Sequence, residues 1–213
     1  DFCLSRGLGD VYKRQVNDFD NQTGALTFLY QLKGEGTHKI AALQPGQTLT
    51  VTGPCGNGFD AAALAGKYQR IAVVGGGIGT APLLLLCKQL CRAGVRPDVY
   101  VGFRDTSYGM DRFVPWCHDV FVATDSGNEG HHGLVTDLLD AKNYDIVLTC
   151  GPMVMMRGVA KLCAAANVPC LASLEKKMAC GLGACLGCTC HTKIGPVTVC
   201  KDGPVFNAQE VFD

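Results

Sequence analysis

Five cysteines crowd into the 21 residues from Cys180 to Cys200. Three of them stand in the pattern C-x4-C-x2-C, at Cys180, Cys185 and Cys188, and Cys200 follows twelve positions later. This spacing is typical of plant-type [2Fe–2S] sites, in which one tight loop supplies three thiolates and a separate element supplies the fourth. Glycines between the cysteines let the backbone curl and aim N–H groups at the sulfurs. We therefore expect these four cysteines to hold a two-iron cluster, with the fourth on a strand at Val197–Cys200.

Other interpretations of the cysteines are weaker. Cys190 could replace Cys200, but strand alternation through 188–190 would put its side chain one repeat away from the loop. A four-cysteine zinc site usually shows two separated C-x2-C pairs, and a Rieske centre needs two histidines where only His191 is available. Thirteen cysteines cannot all pair internally, and disulfides fit poorly with an ordinary helix-and-strand core. Zinc and purely structural thiols remain the alternatives to a cluster.

The composition narrows the possible functions. Nineteen Lys and Arg balance nineteen Asp and Glu, so the net charge is zero and a general nucleic-acid or anionic-membrane binder is disfavoured. The longest apolar run, Ala81–Cys87, is far shorter than a bilayer requires, and no signal peptide is visible. With 47% hydrophobic residues the chain can bury a core. We expect a reduced protein of the cytoplasm that binds neither nucleic acid nor membrane.

The pattern divides the chain into four parts. Residues 1–15 show neither helical nor strand periodicity and are interpreted as a non-native cloning or assembly scar. Residues 16–67 are predicted to be a fragment of a β-barrel. Their strand formers lie at Ala25–Leu32 and Leu49–Thr52, between glycine turns. Residues 68–174 form a nucleotide-binding domain and residues 175–213 a small cluster domain.

The third part alternates strands with helices, which predicts a doubly wound parallel sheet and an α/β plus β fold overall. The predicted strands are Ile71–Val74, Val99–Phe103, Val120–Ala123, Ile146–Thr149 and Cys170–Leu174. The predicted helices are Thr80–Ala93, Leu134–Leu139 and Met153–Ala166. After Glu175 a Gly/Cys loop leads to a hairpin predicted between Val197–Cys200 and Val205–Phe206.

Two glycine-bearing strand ends could line a dinucleotide site. The first joins a strand to a helix through Gly75, Gly76, Gly77, Gly79 and Thr80. Such a turn presents N–H groups to a pyrophosphate, although Thr80 replaces the third glycine of the usual motif. The second comprises Cys150, Gly151, Pro152 and Met153. The alternatives are a turn that binds nothing and a buried core thiol at Cys150. Arg104 and Asp105 could contact a ribose or phosphate, or equally belong to a solvated loop.

From about Val16 onward the chain resembles a known family. The motifs that carry the resemblance are GGGIGTAPLL, CGPM, SLE, MACGLGACLGC and VCKDGPVF. The chain resembles the ferredoxin–NADP reductase superfamily. More closely, it resembles the family of electron-transfer subunits of NAD-linked (class 1B) dihydroorotate dehydrogenase. The resemblance implies a Greek-key flavin-binding barrel, truncated here, followed by an NAD domain and a [2Fe–2S] domain.

The resemblance also implies cofactors and a partner. FAD would lie against Leu29, Tyr30 and Gln31, with its pyrophosphate at Gly36 and Thr37. NAD would face the two glycine-bearing strand ends. Electrons would pass from the FMN of a dihydroorotate dehydrogenase catalytic subunit, through [2Fe–2S] and FAD, to NAD+ in pyrimidine (UMP) biosynthesis. A flavin can join one-electron to two-electron chemistry. We expect a hetero-oligomeric oxidoreductase subunit with no dihydroorotate site and no acid–base catalyst of its own.

The sequence departs from the family's pattern at the motif that binds the flavin. The family's Arg-Pro-x-Ser motif should lie just before Val16, where Tyr12-Lys13-Arg14-Gln15 stands instead. Gln31 also stands where the family more often has Arg. We therefore expect this chain to bind FAD weakly or not at all, although the intact protein would bind it. The alternative functions are an NAD(P)H reductase subunit of another complex (hydrogenase, sulfite reductase or glutamate-synthase-like) and a zinc-binding structural protein.

Overall fold

A computed structural model describes residues 2–5 and 11–212, with side chains from residue 15 onward. The strands described are β1 (Phe2–Ser5), β2 (Val11–Arg14), β3 (Val16–Phe19), β4 (Leu26–Phe28), β5 (Thr50–Thr52), β6 (Ile71–Gly76), β7 (Asp98–Phe103), β8 (Val120–Thr124), β9 (His131–His132), β10 (Ile146–Cys150), β11 (Cys170–Ser173), β12 (Thr189–Thr192), β13 (Gly195–Thr198) and β14 (Val205–Asn207). The α-helices described are α1 (Glu35–Ala41), α2 (Ala61–Lys67), α3 (Ala81–Arg92), α4 (Val135–Leu138), α5 (Met153–Ala165) and α6 (Ala208–Val211). Among these residues, no helix combines the length and the apolar character needed to cross a bilayer.

A seven-stranded sheet dominates the fold, in the order β14-β11-β10-β6-β7-β8-β9. Its neighbours are parallel except for β14, which runs antiparallel to β11. Every residue of β6 and β10 is buried, as expected for central strands covered on both faces. The predicted alternation of strands and helices is therefore confirmed, with each boundary within a few residues.

Two apolar cores cover the two faces of this sheet. One contains residues of α2 and α3, including Leu64, Leu83 and Leu90. The other contains residues of α5 and α6, among them Met156 and Ala208. The buried cysteines of the C-terminal segment, Cys188, Cys190 and Cys200, belong to this second core. The candidate cluster is therefore attached to the same face of the sheet as α5.

The N-terminal region differs from the expectation of strands throughout. β1 pairs with β2 and β5 in a three-stranded antiparallel sheet, whereas β3 and β4 form a separate hairpin. Residues 35–41 form helix α1, which the prediction missed. Its first turn is held by the Thr37 hydroxyl, which accepts the N–H groups of Lys33 and Gly34 at 2.9 and 3.1 Å. A Greek-key barrel remains a prediction.

The lack of helical or strand periodicity in residues 1–15 indicated no regular structure there, but the structure shows two strands in this segment. Their backbone forms β1 and β2, which are joined by backbone hydrogen bonds that require no side-chain periodicity. Residues 6–10 lie outside the described part, as do Asp1 and Asp213. The non-native origin of residues 1–15 remains a prediction.

The predicted C-terminal hairpin is wrong. β13 pairs with β12, and β14 instead joins the main sheet beside β11. The cause is the turn after β13, where the Asp202 carboxylate accepts the Thr198 N–H at 2.6 Å and the Thr198 hydroxyl at 2.9 Å. This turn reverses the chain and leaves Cys200 in the turn rather than on a strand.

Candidate metal centre and nucleotide-binding site

The four predicted cluster cysteines lie together in two pairs. The backbone N–H of Cys185 donates to Cys180 Sγ, and the backbone N–H of Cys200 donates to Cys188 Sγ. The pairs adjoin, because Gly183, which lies between Cys180 and Cys185, donates its backbone N–H to Cys200 Sγ. The structure thus brings together residues from the loop and from the turn after β13.

Backbone N–H groups of the loop point at these sulfurs. Cys180 Sγ accepts from the N–H groups of Leu182 and Cys185, each at 3.4 Å. Cys185 Sγ accepts from Gly187 at 3.5 Å, and Cys188 Sγ accepts from the backbone of Cys200 at 3.4 Å. N–H groups aimed at sulfur stabilise thiolates, the form in which cysteine binds metal.

Gly183 shows why the loop is rich in glycine. Its φ of +79° lies in the left-handed region, and a Cβ there would lie 3.0 Å from Cδ of Lys201. This conformation directs the Gly183 N–H at Cys200 Sγ, 3.1 Å away. A side chain at position 183 would strain the backbone that joins the loop to its fourth cysteine.

The thiols are not equivalent before a metal binds. N–H groups of Cys185 and Leu182, together with the Cys185 thiol, lower the pKa of Cys180 to about 6. Burial and the neighbouring Cys188 thiol raise the pKa of Cys200 to about 11, against the opposing effect of the Gly183 N–H. The loop therefore prepares one thiolate by itself, and a metal must displace the proton of the buried cysteine.

The arrangement of the sulfurs favours a cluster over a single zinc ion. Tetrahedral zinc with four cysteines places all its sulfurs about 3.8 Å apart, given Zn–S bonds of about 2.3 Å. Among the described residues, however, no three cysteine sulfurs lie within 4.8 Å of one another. Two adjoining pairs suit two irons that each take two thiolates. The donor set therefore fits a [2Fe–2S] cluster better than a single zinc ion.

Cys190 lies apart from this group. It sits on β12 opposite Val197, and its side chain belongs to the apolar core. Burial raises the pKa of its thiol, which disfavours the metal-binding thiolate. His191, the next residue, is exposed.

The two glycine-bearing strand ends are neighbours. β6 and β10 pair in register, so Gly75 lies beside Cys150. A Cβ on Gly79 would lie 2.5 Å from both the Cys150 carbonyl oxygen and the Gly151 Cα. The two backbones therefore approach as closely as only glycine permits, at the edge where ligands of such sheets bind.

Thr80 closes the first turn. Its hydroxyl donates to the Gly77 carbonyl at 2.9 Å, inside a short 3-10 turn over Gly77–Thr80 that leads into α3. The Tyr108 side chain lies near Thr80 and meets Phe103 edge-on, with ring centroids 4.9 Å apart. Sequence reasoning missed Tyr108, because a single aromatic residue in a loop carries no periodic signal. Arg104 and Asp105 are exposed nearby on the same loop.

A polar contact at this edge was also missed. Ser173 lies beside Cys150 in register on β11, and its hydroxyl accepts the Gln15 side-chain N–H at 3.0 Å. The Cys150 thiol donates to the other end of the same amide at 3.7 Å. No local pattern could reveal a contact between residues 158 positions apart. Of the remaining residues of the second strand end, Pro152 directly precedes α5 and Met153 is the first residue of that helix.

The residues assigned to FAD form a less complete site. Leu29 and Tyr30 are half-buried and Gln31 is exposed, whereas Gly36 and Thr37 are buried in the first turn of α1. The Thr37 hydroxyl accepts two N–H groups and donates to the Gly34 carbonyl at 2.8 Å, which uses its full hydrogen-bonding capacity. Thr37 therefore shapes the turn, and only backbone groups remain there for a pyrophosphate.

Strand β3 links the N-terminal region to the nucleotide site. The buried Asn17 side chain donates to the Ala81 carbonyl at 2.7 Å, in the first turn of α3. Asp18 forms ion pairs with Lys88 at 2.6 Å and with Arg112 at 3.2 Å. These contacts hold the N-terminal region against the helix that follows the glycine turn.

Residues 175–212 match the family model described as the iron-sulfur cluster binding domain of dihydroorotate dehydrogenase B. A protein of Clostridium acetobutylicum is 43% identical over 199 residues, which cover 93% of this chain and 79% of that protein. A protein of Clostridium perfringens is 45% identical over 186 residues, covering 86% and 74% respectively. Both relatives are named dihydroorotate dehydrogenase B (NAD(+)), electron transfer subunit.

Solved structures agree on the fold. The NADH-dependent reduced ferredoxin-NADP oxidoreductase, solved for insight into flavin-based electron bifurcation, has a TM-score of 0.86 and 28% identity. The match covers 99% of this chain and 77% of that one. Flavohemoglobin of Malassezia yamatoensis matches 78% of this chain and 47% of its own at a TM-score of 0.60 and 16% identity, which shows the fold alone.

Proposed function

The chain belongs to the family of dihydroorotate dehydrogenase B electron transfer subunits, and from this premise we propose how its residues serve that activity. It is an oxidoreductase subunit that carries electrons from an FMN-containing dihydroorotate-oxidising partner to NAD+ in pyrimidine biosynthesis. The observation that carries the proposal is the set of backbone N–H groups that face the cysteine sulfurs and link the loop to Cys200 in the turn after β13.

The metal-binding residues are Cys180, Cys185, Cys188 and Cys200. A bound [2Fe–2S] cluster supplies one-electron chemistry, which FAD couples to the two-electron chemistry of NAD. The protein contributes the position of the sulfurs and the hydrogen bonds to them, which tune a cluster's reduction potential. Such a relay requires no acid or base among the side chains.

The NAD-binding residues proposed are the two glycine-bearing strand ends: Gly75, Gly76, Gly77, Gly79 and Thr80 with Cys150, Gly151, Pro152 and Met153. The support is their contact at the carboxyl edge of the sheet, beside the beginning of α3. There the turn offers N–H groups and the positive end of a helix dipole to a pyrophosphate.

FAD is assigned to Leu29, Tyr30, Gln31, Gly36 and Thr37. We propose that this chain holds FAD weakly, because the Thr37 hydroxyl is used within its own turn. The different residues in place of the family's Arg-Pro-x-Ser motif support the same conclusion. The flavin released on denaturing a purified sample measures this, and one FAD per chain would contradict weak binding.

The partner subunit is proposed to dock close to the cluster. Cys185 is exposed, and Leu182 and Leu186 beside it are 67% and 63% exposed. Exposed apolar side chains around an electron-carrying centre favour a protein interface there. The twelve cysteines whose side chains the structure describes are free thiols. The cytoplasm is proposed as the compartment because the cysteine pattern is typical of a metal site and not of a disulfide scaffold.

The test is reconstitution with the FMN-containing catalytic subunit of a relative under anaerobic conditions, with FAD added in excess because this chain is proposed to hold it weakly. We expect a stable hetero-oligomer that reduces NAD+ when dihydroorotate is added, and a complex that loses this activity when this chain carries Cys200→Ser. The similarity to the NADH-dependent oxidoreductase favours, as a second candidate, a reductase subunit of another complex. Failure to associate with the FMN subunit, together with NADH oxidation by the isolated chain, would support that candidate.

A further inference from the structure

Three side chains of the kinds that bind metal ions meet at the amino edge of the main sheet. Asp98 is the first residue of β7, and His118 and Asp119 directly precede β8. His118 Nδ1 lies 3.0 Å from Asp98 Oδ1 and 3.0 Å from Asp119 Oδ2. All three ligand atoms lie within 4.8 Å of one another. The nucleotide site lies at the carboxyl edge of the same sheet, so this group is a separate feature.

Backbone hydrogen bonds hold the two segments that carry these side chains. The His118 N–H donates to the Pro97 carbonyl at 2.9 Å, and the Val99 N–H donates to the Asp119 carbonyl at 2.9 Å. The contact between β7 and β8 thus continues past the first residue of each strand. The backbone on both sides of the group is therefore fixed by the sheet.

A buried pair of tyrosines orients Asp98. The Tyr144 hydroxyl donates to Asp98 Oδ2 at 2.7 Å, and the Tyr100 hydroxyl lies 2.6 Å from that of Tyr144. Both tyrosines are buried. Because this bond uses Oδ2, Oδ1 is directed at His118. Carboxylates that bind metal ions are commonly held in this way by an outer hydrogen bond.

The contacts of His118 leave a need for a cation. Two carboxylates close together repel each other, and Nδ1 of an imidazole carries at most one proton, even in the imidazolium form. One proton cannot make full hydrogen bonds to both Asp98 and Asp119. The Arg96 guanidinium, which lies nearby in the chain, donates to the Cys117 carbonyl at 3.0 Å. A metal ion at the centre of the group would use all three ligand atoms at once.

We propose that Asp98, His118 and Asp119 bind a zinc ion. Zinc takes imidazole nitrogen and carboxylate oxygen at about 2.0–2.2 Å, which places the ligand atoms of a tetrahedral site about 3.3–3.6 Å apart. The two separations of 3.0 Å therefore need to widen by only a few tenths of an ångström. Water supplies the fourth ligand, because His118 and Asp119 are exposed. The imidazole favours zinc over magnesium, which suits oxygen ligands.

A zinc ion at this position joins the starts of β7 and β8 and stabilises the fold. An ion that binds only the folded chain raises the temperature of unfolding. The six residues of β7, about 20 Å in length, separate this edge from the nucleotide edge. Zinc should therefore leave NAD+ affinity unchanged, and the site does not depend on the proposed electron transfer.

The experiment titrates zinc chloride into the cluster-loaded chain, whose iron already occupies the cysteine centre. We expect calorimetry to show one zinc ion per chain, and zinc X-ray absorption to show nitrogen and oxygen neighbours at about 2.0–2.2 Å. His118→Ala and Asp119→Asn should each weaken zinc binding by more than about 10-fold, the least expected even for loss of an outer contact. Zinc should raise the unfolding temperature of the unmodified chain and not that of His118→Ala.

His131→Ala is the matched control. His131 is also exposed and pairs with Asp137 at 3.7 Å, but within the described part of the chain it belongs to no group of three metal-binding side chains. Its replacement should leave zinc affinity unchanged.

Three results would overturn the proposal. The first is an unmodified chain that binds no zinc, which would leave His118 as the cation of an ordinary ion pair. The second is equal zinc affinity in His118→Ala and the unmodified chain. The third is a zinc–sulfur distance of about 2.3 Å, which would place the ion at cysteines. None of these results bears on the iron content or on NAD+ binding.

Discussion

The backbone N–H of Gly183 donates to the sulfur of Cys200, seventeen residues further along the chain, at an N···S distance of 3.1 Å. This contact joins the cysteine loop to the turn after β13. Because the Asp202 carboxylate holds that turn, the fourth sulfur has a defined position before any metal arrives. The candidate centre is therefore organised by backbone hydrogen bonds as well as by the cysteines.

Single cysteine-to-serine substitutions should distinguish the four proposed metal ligands from the neighbouring Cys190. Cys200→Ser removes one member of the second sulfur pair, and we expect most of the iron to be lost from the purified protein. Cys190→Ser is the matched control, because Cys190 lies in the apolar core and outside both pairs. Iron content per chain measures both variants, and iron lost only from Cys190→Ser would reverse the assignment.

Gly79→Ala should damage the nucleotide site. The new Cβ would lie 2.5 Å from two atoms of the opposite strand end, so the two motifs must separate. Overpacking of this kind costs about 1–3 kcal/mol, and NAD+ affinity should fall with it. Denaturant unfolding and calorimetry give the two values.

Gly66→Ala serves as the control for that substitution. Gly66 lies within helix α2, and a Cβ there would meet nothing within 4 Å. Alanine should therefore stabilise the chain by up to about 1 kcal/mol and leave NAD+ affinity unchanged. Equal effects of the two substitutions would contradict the close approach at Gly79.

Asp18 should make stability depend on pH. Burial raises its pKa, but the hydrogen bond and charge of Lys88, the Phe19 N–H and the charge of Arg112 outweigh burial and leave the pKa below its ordinary value of 3.8. A lowered pKa contributes stability that is complete above the unfolded value and is lost as pH falls through the folded value. The contribution should be about 1 kcal/mol at pH 7.

Asp18→Asn tests this contribution by urea unfolding at several pH values. The variant should be less stable than the unmodified chain at pH 7, and the difference should shrink below about pH 4. Glu35→Gln is the control, because the ion pair of Glu35 with Lys39 is exposed and should contribute almost nothing. A difference that persists unchanged to pH 2 would exclude a role for the Asp18 charge.

Thr149 should tolerate, and even favour, an apolar replacement. Within the described part of the chain its buried hydroxyl has no hydrogen-bond partner, which costs about 1–3 kcal/mol. Thr149→Val keeps the shape and should raise the free energy of unfolding by about 1 kcal/mol. Thr124→Val should lower it instead, because the equally buried Thr124 hydroxyl donates to the Glu129 carbonyl at 2.7 Å.

The sequence predicted those elements and site residues that depend on local residue patterns. Continuous apolar runs located β6 and β10, and the spacing of the cysteines identified four sulfurs that the fold brings together. Helix α1 was missed because Gly36 in its first turn and Gly34 just before it weaken any helical signal. The C-terminal hairpin was misplaced because the pairing of β14 with β11 is decided by tertiary contact, as is the contact of Gln15 with Ser173.

The central claim is that four thiolates hold two irons, and metal analysis with EPR spectroscopy of the anaerobically purified chain tests it most directly. We predict two irons and two acid-labile sulfides per chain, and an EPR signal from one unpaired electron after reduction by dithionite. One zinc ion per chain in a colourless, EPR-silent protein would contradict the account.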